Sequence, residues 1–342
     1  MWCSTCLCLS RSGSLLITSN NAINALLRFM KFFVHCLGVA FNNEALTNTS
    51  NVIPIGLKTV HKILGVDNDL FVQYVSCSRC HSVYKYEDCI ETKANGQHEP
   101  KRCRHVAYPS HPQMSFRKRC DALLLKKVRT KRGYSLQPIK AYPYRSLKSS
   151  IAQLASKPGF LESCEKWRRR GQCVPDSYQG DVYDGNIWKT FNSSDGWDFL
   201  TAPFNYLLTL NVDWFEPFER GVYAVGVIYL TIQNIPREVR YHTDNVILVG
   251  IIPGPKEPKL NINSYLTPLV LELEEAWKEG FIVKSPQGIE ITVRLALSCV
   301  SCDIPASRKV CGFLGHNASL GCNKCLKKFD VTFATRANFF RI

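Results

Sequence analysis

The apolar positions of this chain follow two patterns. From Asn20 to Leu37, residues Ile23, Leu26, Leu27, Met30, Phe33, Val34 and Leu37 recur three or four apart, the period of one helix face. Ser19 and Asn20 offer N-caps, and core packing is the expected role of this helix. Residues 1–19 show no clear pattern, and residues 41–56 are polar and read as a loop. From about residue 180 the pattern shifts to short runs rich in β-branched and aromatic side chains, bounded by turn formers, as strands are. Three such runs occupy residues 207–212, 222–232 and 245–252. Residues 266–280 read as an amphipathic helix with Leu269, Leu273, Ala276 and Trp277 on one face and Gly280 as its C-cap. Residues 291–300 form a fourth strand, and three strands, a helix and a return strand make an α/β unit. Residues 133–158 carry Pro138, Pro143 and Pro158 with little periodicity and read as a linker or extended arm. Residues 159–170 read as a short helix with a basic end.

Two of these strands run into an aspartate: Asp213 closes the first, and Asp303 follows the last. A carboxylate at a strand's C-terminal end is held rigidly while the loop beyond leaves it open to solvent. Two of them on neighbouring strands could share a divalent metal, which can drive phosphoryl transfer. Taken singly, each Asp does no more than stop its strand.

Charge and cysteines extend the picture. The formal net charge is +15 over 342 residues, an excess that calls for an acidic partner, most often nucleic acid. The charge is clustered, at Arg117-Lys118-Arg119, at Lys126, Lys127, Arg129, Lys131 and Arg132, and at Arg168-Arg169-Arg170. The first two clusters are the expected nucleic-acid contacts, with Tyr108, Phe116 and Tyr134 interleaved as stacking surfaces. Residues 1–19 lack a basic start followed by an apolar core, so no signal peptide is expected. Arg28, Lys31 and His35 interrupt the apolar stretch around them and argue against a membrane span. With 16 cysteines and no secretory signal, Cys-x-x-Cys pairs point to zinc. Cys77 and Cys80 form one such pair; Cys103 and Cys120 are the preferred completion of a tetrahedral site, with Cys89, His81 and His105 as rivals. Cys322 and Cys325 form half of a second knuckle, to be completed by His316, Cys311 or a residue further on.

Several segments, in order, resemble the transposases of CACTA (En/Spm-type) DNA elements. They are residues 74–84 around Cys77 and Cys80; Asp181-Val182-Tyr183-Asp184-Gly185 through Trp188; and Asn211-Val212-Asp213-Trp214-Phe215-Glu216-Pro217-Phe218. Asn234-Ile235-Pro236 with Arg240, then residues 252–258, and Asp303-Ile304-Pro305-Ala306 through Cys325 complete the series. The resemblance implies an RNase H-like catalytic fold in which three acidic residues bind two Mg²⁺ ions, with Asp213 and Asp303 as the first two. It implies DNA strand cleavage and transfer, with element ends and target DNA as partners, a nuclear location, no membrane partner, and room for a homo-oligomer. The family's third acidic residue lies well downstream. Here Asp330 falls too soon, and Glu272, Glu274 and Glu275 lie between the two aspartates and read as a solvated helix face. The expectation is therefore a truncated transposase, inactive alone. The alternative is a non-catalytic, zinc-stabilised DNA- or protein-binding module.

The expected architecture is α/β (α+β overall). It places an N-terminal helical segment at residues 1–56 and a zinc-ribbon-like, basic unit at 57–132. A linker with a short helix follows at 133–179, and an incomplete RNase H-like mixed sheet at 180–342.

Overall fold

The computed structural model describes residues 6–9, 15–18, 20–63, 71–130, 133–172, 179–191, 196, 198–218, 223–258 and 261–313. The chain forms two compact units, Met1–Asp69 and Leu70–Ile342. The second holds the segments read separately as cysteine-bearing unit, linker and catalytic sheet.

In the first unit, β1 (Cys6–Leu9) pairs antiparallel with β2 (Leu15–Thr18), and three helices follow: α1 (Asn20–Ala40), α2 (Glu44–Val52) and α3 (Leu57–Ile63). The expected loop at residues 41–56 contains α2. Its polar composition hides a helix that Asn43 starts, by accepting the Leu46 N–H at 3.2 Å. Gly38 lets α2 lie against α1, since a Cβ there would stand 2.5 Å from Thr47 Oγ1. The helix α1 does not fill a core. Its polar groups turn to α2, with Lys31 Nζ donating to the Asn51 carbonyl at 3.2 Å and His35 Nδ1 3.3 Å from Ser50 Oγ. Phe29, Phe32, Phe33 and Val39 stay exposed. By length and composition Asn21–Ala40 is apolar enough to cross a membrane, with a mean hydropathy of 1.4 despite Arg28, Lys31 and His35.

The second unit begins with β3 (Phe71–Ser76), β4 (Val83–Lys85), and two small hairpins. The hairpins are β5 (Ile90–Thr92) with β6 (His98–Pro100), and β7 (Leu125–Thr130) with β8 (Gly133–Pro138). Then come β9 (Ala141–Arg145), α4 (Leu147–Ala155), α5 (Phe160–Glu165) and α6 (Asn186–Lys189). The last part is β10 (Asn205–Phe215), β11 (Val225–Ile232), α7 (Arg237–Arg240), β12 (Val246–Ile252), α8 (Asn263–Lys278), β13 (Phe281–Lys284), β14 (Glu290–Val300) and α9 (Ile304–Val310).

One eight-stranded sheet, in the order β13-β14-β10-β11-β12-β9-β3-β4, runs through this unit. The strands β10, β11 and β12 form an antiparallel meander, and after α8 the chain returns in β14, parallel to β10 and beside it. The proline-bearing segment expected to be a linker is β8, β9 and the whole of α4. Pro143 is accommodated within β9, opposite Gln73 of β3, and β9 also reaches β12 at Tyr144–Gly250, so the sheet is continuous. Gly250 is required there: a Cβ would lie 2.6 Å from the Tyr142 hydroxyl.

Alternation along β10 sets the layers. Tyr206, Leu208, Leu210 and Val212 face a core completed by Leu147, Ile151 and Leu154 of α4 and Tyr265, Leu266 and Leu269 of α8. Leu207 faces the other way, onto a smaller cluster with Tyr183, Trp188, Phe199 and Ala296. By the same alternation Asp213 lies on the face of Leu207, past the end of that cluster, and is exposed.

Candidate functional site

The parallel pairing of β10 and β14 runs the two aspartate-bearing segments side by side. Leu210 is opposite Val300, the Ser301 N–H donates to the Leu210 carbonyl at 2.8 Å, and the Asn211 amide donates to the Ser301 carbonyl. The Val212 N–H continues the series to Cys302 Sγ at 3.1 Å. One residue on in each segment come Asp213 and Asp303, each three positions past the Leu210–Val300 pair and both exposed. Oδ1 of Asp213 accepts the Trp214 N–H at 2.8 Å, and Oδ1 of Asp303 accepts the Ala306 N–H at 2.7 Å, capping α9. Cys302 is half-buried, directly before Asp303. Burial pushes its thiol up, and Asp303, Cys311 and Asp213 add to the effect. Burial and the Asp213 charge likewise raise Tyr229 on the neighbouring strand.

Two groups at this end of the sheet have no counterpart in the sequence reading. Lys309, on the helix that Asp303 caps, ion-pairs with Glu257 in the loop after β12 and lies 5.0 Å from the Trp214 ring centroid. The Ala224 N–H donates to the Pro255 carbonyl at 2.9 Å, which holds that same loop against the start of β11. Their meeting beside Trp214, the residue after Asp213, marks them, and spacing along the chain gives no hint of it.

Two other segments of the resemblance, around Asp181 and around Asn234 to Arg240, lie at the opposite end. Asp181 and Arg240 form a double ion pair, at 2.8 Å on both oxygens, with each side chain 2% exposed. Arg240 Nε also donates to the Ile235 carbonyl at 3.0 Å, and the Tyr183 hydroxyl reaches the Asn234 and Ile235 carbonyls at 3.0 and 2.8 Å. The Asn234 side chain accepts from Leu207 N and donates to the Asn205 carbonyl. These residues bind the turn after β11 to the first half of β10, and so set the strand that carries Asp213.

The cysteines make a second centre. The Sγ atoms of Cys77, Cys80, Cys103 and Cys120 all lie within 4.8 Å of one another. Cys77–Cys120 is 3.5 Å and Cys80–Cys103 is 3.4 Å, close to the edge of about 3.8 Å in a tetrahedron with 2.3 Å metal–sulfur bonds. Cys77 and Cys80 come from one tight turn, in which the Arg79 N–H points at Cys77 Sγ at 3.5 Å. Cys103 and Cys120 are not a Cys-x-x-Cys pair. They meet because the chain folds back on itself: Arg102 bridges Leu123, Val106 bridges Arg119, and the Cys120 N–H donates to the His105 carbonyl at 2.8 Å.

Cys77 and Cys80 are hydrogen-bonded to each other within the turn. The hydrogen bond between them, with burial, pushes Cys77 up to about 12, and the same bond lowers Cys80. Burial raises Cys103. A bound cation would draw all four thiols toward thiolate. The rivals stand outside the cluster. Cys89 is a buried thiol pushed up to about 12 by burial, donating to the Lys85 carbonyl at 3.3 Å. His81 sits 3.1 Å from the Tyr265 hydroxyl and is held neutral, at about 4, by burial and by Lys140. His105 supplies backbone only among the bonds described.

Arg117, Lys118 and Arg119 are exposed on the fold-back between the cysteines, and Lys126, Lys127 and Arg129 are exposed on β7. Arg168 is committed inward, to Glu165 and to the carbonyls of Leu200, Thr201 and Ala202. On the helix face expected to be solvated, Glu274 and Glu275 are at the surface, while Glu272 is half-buried and accepts the first N–H of α4, from Leu147. Lys131, Arg132, His316, Cys322, Cys325 and Asp330 lie outside the described residues.

With this geometry in place, the comparison with known families is informative. Residues 177–339, just under half the chain, match the family described as Transposase family tnp2, a match that covers both aspartates and supports a transposase family. No curated protein matches the chain.

Proposed function

We propose that this chain is a CACTA-like DNA transposase whose RNase H-like sheet presents Asp213 and Asp303 to a divalent metal, with a structural zinc in the cysteine cluster. The observation that carries the reading is that two exposed aspartates each follow, by three residues, the last pair of two adjacent parallel strands, inside the transposase match. The meander β10-β11-β12, the helix α8 and the return in β14 beside β10 are the order an RNase H-like core requires.

The donor sets fit the metals. Two hard carboxylates at a solvent-open sheet end suit Mg²⁺, and four soft sulfurs within 4.8 Å suit Zn²⁺. A divalent ion held by Asp213 and Asp303 would polarise a phosphodiester and activate the attacking water or 3′ hydroxyl. The rest of the mechanism belongs to the chain. The β10–β14 pairing runs the two aspartate-bearing segments side by side, and the bonds from Trp214 and Ala306 hold one oxygen of each carboxylate. Lys309, tied to Glu257, brings a positive charge beside Trp214 toward a DNA backbone. The exposed cations at 117–119 and on β7 would hold DNA to the same unit by its phosphates. A nuclear location and element-end DNA as partner follow from this reading.

The cap that Asp303 makes on α9 favours the second reading, a DNA-binding module without catalysis. Strand nicking of supercoiled DNA with Mg²⁺ separates the two. Where a third acidic ligand is supplied, we expect nicking that is lost in Asp213→Asn and in Asp303→Asn while salt-sensitive DNA binding persists. Nicking that survives both substitutions contradicts the catalytic reading, and binding with no nicking at all favours the module.

A further inference from the structure

The two small hairpins of the cysteine-bearing region line an open groove of about 690 Å³, within the range of roughly 300–1,000 Å³ typical of sites that enclose a small ligand. Its floor is apolar. Tyr86, Ile90 and Leu136 pack onto the buried cluster of Val75, Cys89 and Leu125, and the Tyr86 hydroxyl donates to the Leu136 carbonyl at 2.8 Å. The register of β7 and β8 sets Lys127 opposite Leu136 and Arg129 opposite Tyr134. Opposed residues in an antiparallel ladder share a face, and so do residues two apart. Lys127, Arg129 and Tyr134 therefore stand on the groove side of the hairpin, above Leu136.

The chemistry of this groove is selective. Tyr134 is 76% exposed, a large ring held out on a strand with little to cover it. Gln97, His98 and Ser135 supply donors and acceptors around the apolar floor. The carboxylate on the rim, Glu99, is taken up by Lys93 at 2.8 Å. Cations thus stand at the outer rim and an apolar, ring-bearing surface lies within, with polar edges between. A duplex offers phosphates and base edges to a protein surface, but the face of a base becomes available only when the base is unpaired.

We propose that this groove takes an unpaired nucleobase of DNA, with Tyr134 stacking on its face and Lys127 and Arg129 meeting the flanking phosphates. The proposal rests on the reading of this chain as a DNA-processing protein, since strand cleavage exposes such bases.

The test uses the full chain, a short single-stranded oligonucleotide containing 2-aminopurine, and the matching duplex, at about 50 mM salt where phosphate contacts are strong. Tyr134→Ala should weaken the single strand about 10-fold or more, as expected for loss of one stacked base. It should abolish the quenching of 2-aminopurine and leave duplex affinity within about 2-fold, while Tyr134→Phe restores both strength and quenching. Lys127→Ala should weaken both forms and flatten their salt dependence. Tyr134 is too exposed for its removal to unfold the chain, and an unchanged thermal melt verifies this. Single-strand binding and quenching that survive Tyr134→Ala, with DNA binding otherwise intact, overturn the groove assignment alone. A wild-type chain that binds neither form overturns this proposal and the DNA-processing reading together.

Discussion

Asp303 has two roles that one substitution can separate. Its carboxylate caps α9 through the Ala306 N–H, and it follows the strand beside that of Asp213. Asparagine caps as well as aspartate but is a poor ligand for a hard cation. Asp303→Asn should therefore keep the melting temperature of the wild type while removing divalent-metal binding. Asp303→Ala should lose both, at a stability cost of about 1 kcal/mol for the cap. A urea titration of the two variants reads the difference. The buried pair of Asp181 and Arg240 makes a contrasting case. Removing one partner strands a charge in a site where each side chain is 2% exposed. Asp181→Ala or Arg240→Ala should each cost about 3–5 kcal/mol. The urea midpoint should drop accordingly, and a shift of less than about 1 kcal/mol would show that the lock does not hold β10.

Elements were legible where one face had to be buried over a long stretch. The strands β10, β11, β12 and β14 and the helix α8 came from runs of apolar residues, because no other conformation hides such runs so well. What the sequence hid was long-range pairing. Pro138 and Pro143 masked β8 and β9, and nothing local shows that β9 bridges β3 to β12. Likewise α2 is mostly polar, and its Asn43 cap and its packing on α1 make it a helix. The candidate sites divide the same way. The aspartates were readable because each sits at the end of a visible strand. Their side-by-side segments depend on the parallel pairing of β14, and Lys309 and Glu257 depend on loop placement.

The continuity of the sheet carries a prediction about the cysteine cluster. The Ser76 hydroxyl lies 2.6 Å from the Tyr265 hydroxyl, and the Asn261 amide donates to the Cys80 carbonyl at 3.0 Å, so the knuckle is bonded to the approach and first turn of α8. With metal bound there, a chelator should raise amide hydrogen exchange in β3 and β4 and also at the start of α8. Exchange at α8 that stays unchanged as the knuckle opens would show the two parts to be independent.

At the scale of the molecule, the sheet of the second unit has two dissimilar ends. One is closed by the Asp181–Arg240 pair and its hydrogen bonds, which set β10 in place. The other is open and carries the aspartates, with Lys309 beside Trp214. Exposed cations on the fold-back and on β7 add the electrostatic reach that a net charge of +15 implies. Rigidity at one end and access at the other is what a site for phosphodiester chemistry demands, because a metal-held phosphate tolerates little drift in its ligands. The central claim is that Asp213 and Asp303 share one divalent cation. Titration of the full chain with Mn²⁺, followed by electron paramagnetic resonance, tests it without requiring turnover. The account predicts that the wild type binds one more Mn²⁺ ion than Asp213→Asn or Asp303→Asn, and that the double variant loses no more than either single one. Variants that bind Mn²⁺ as the wild type does would contradict it.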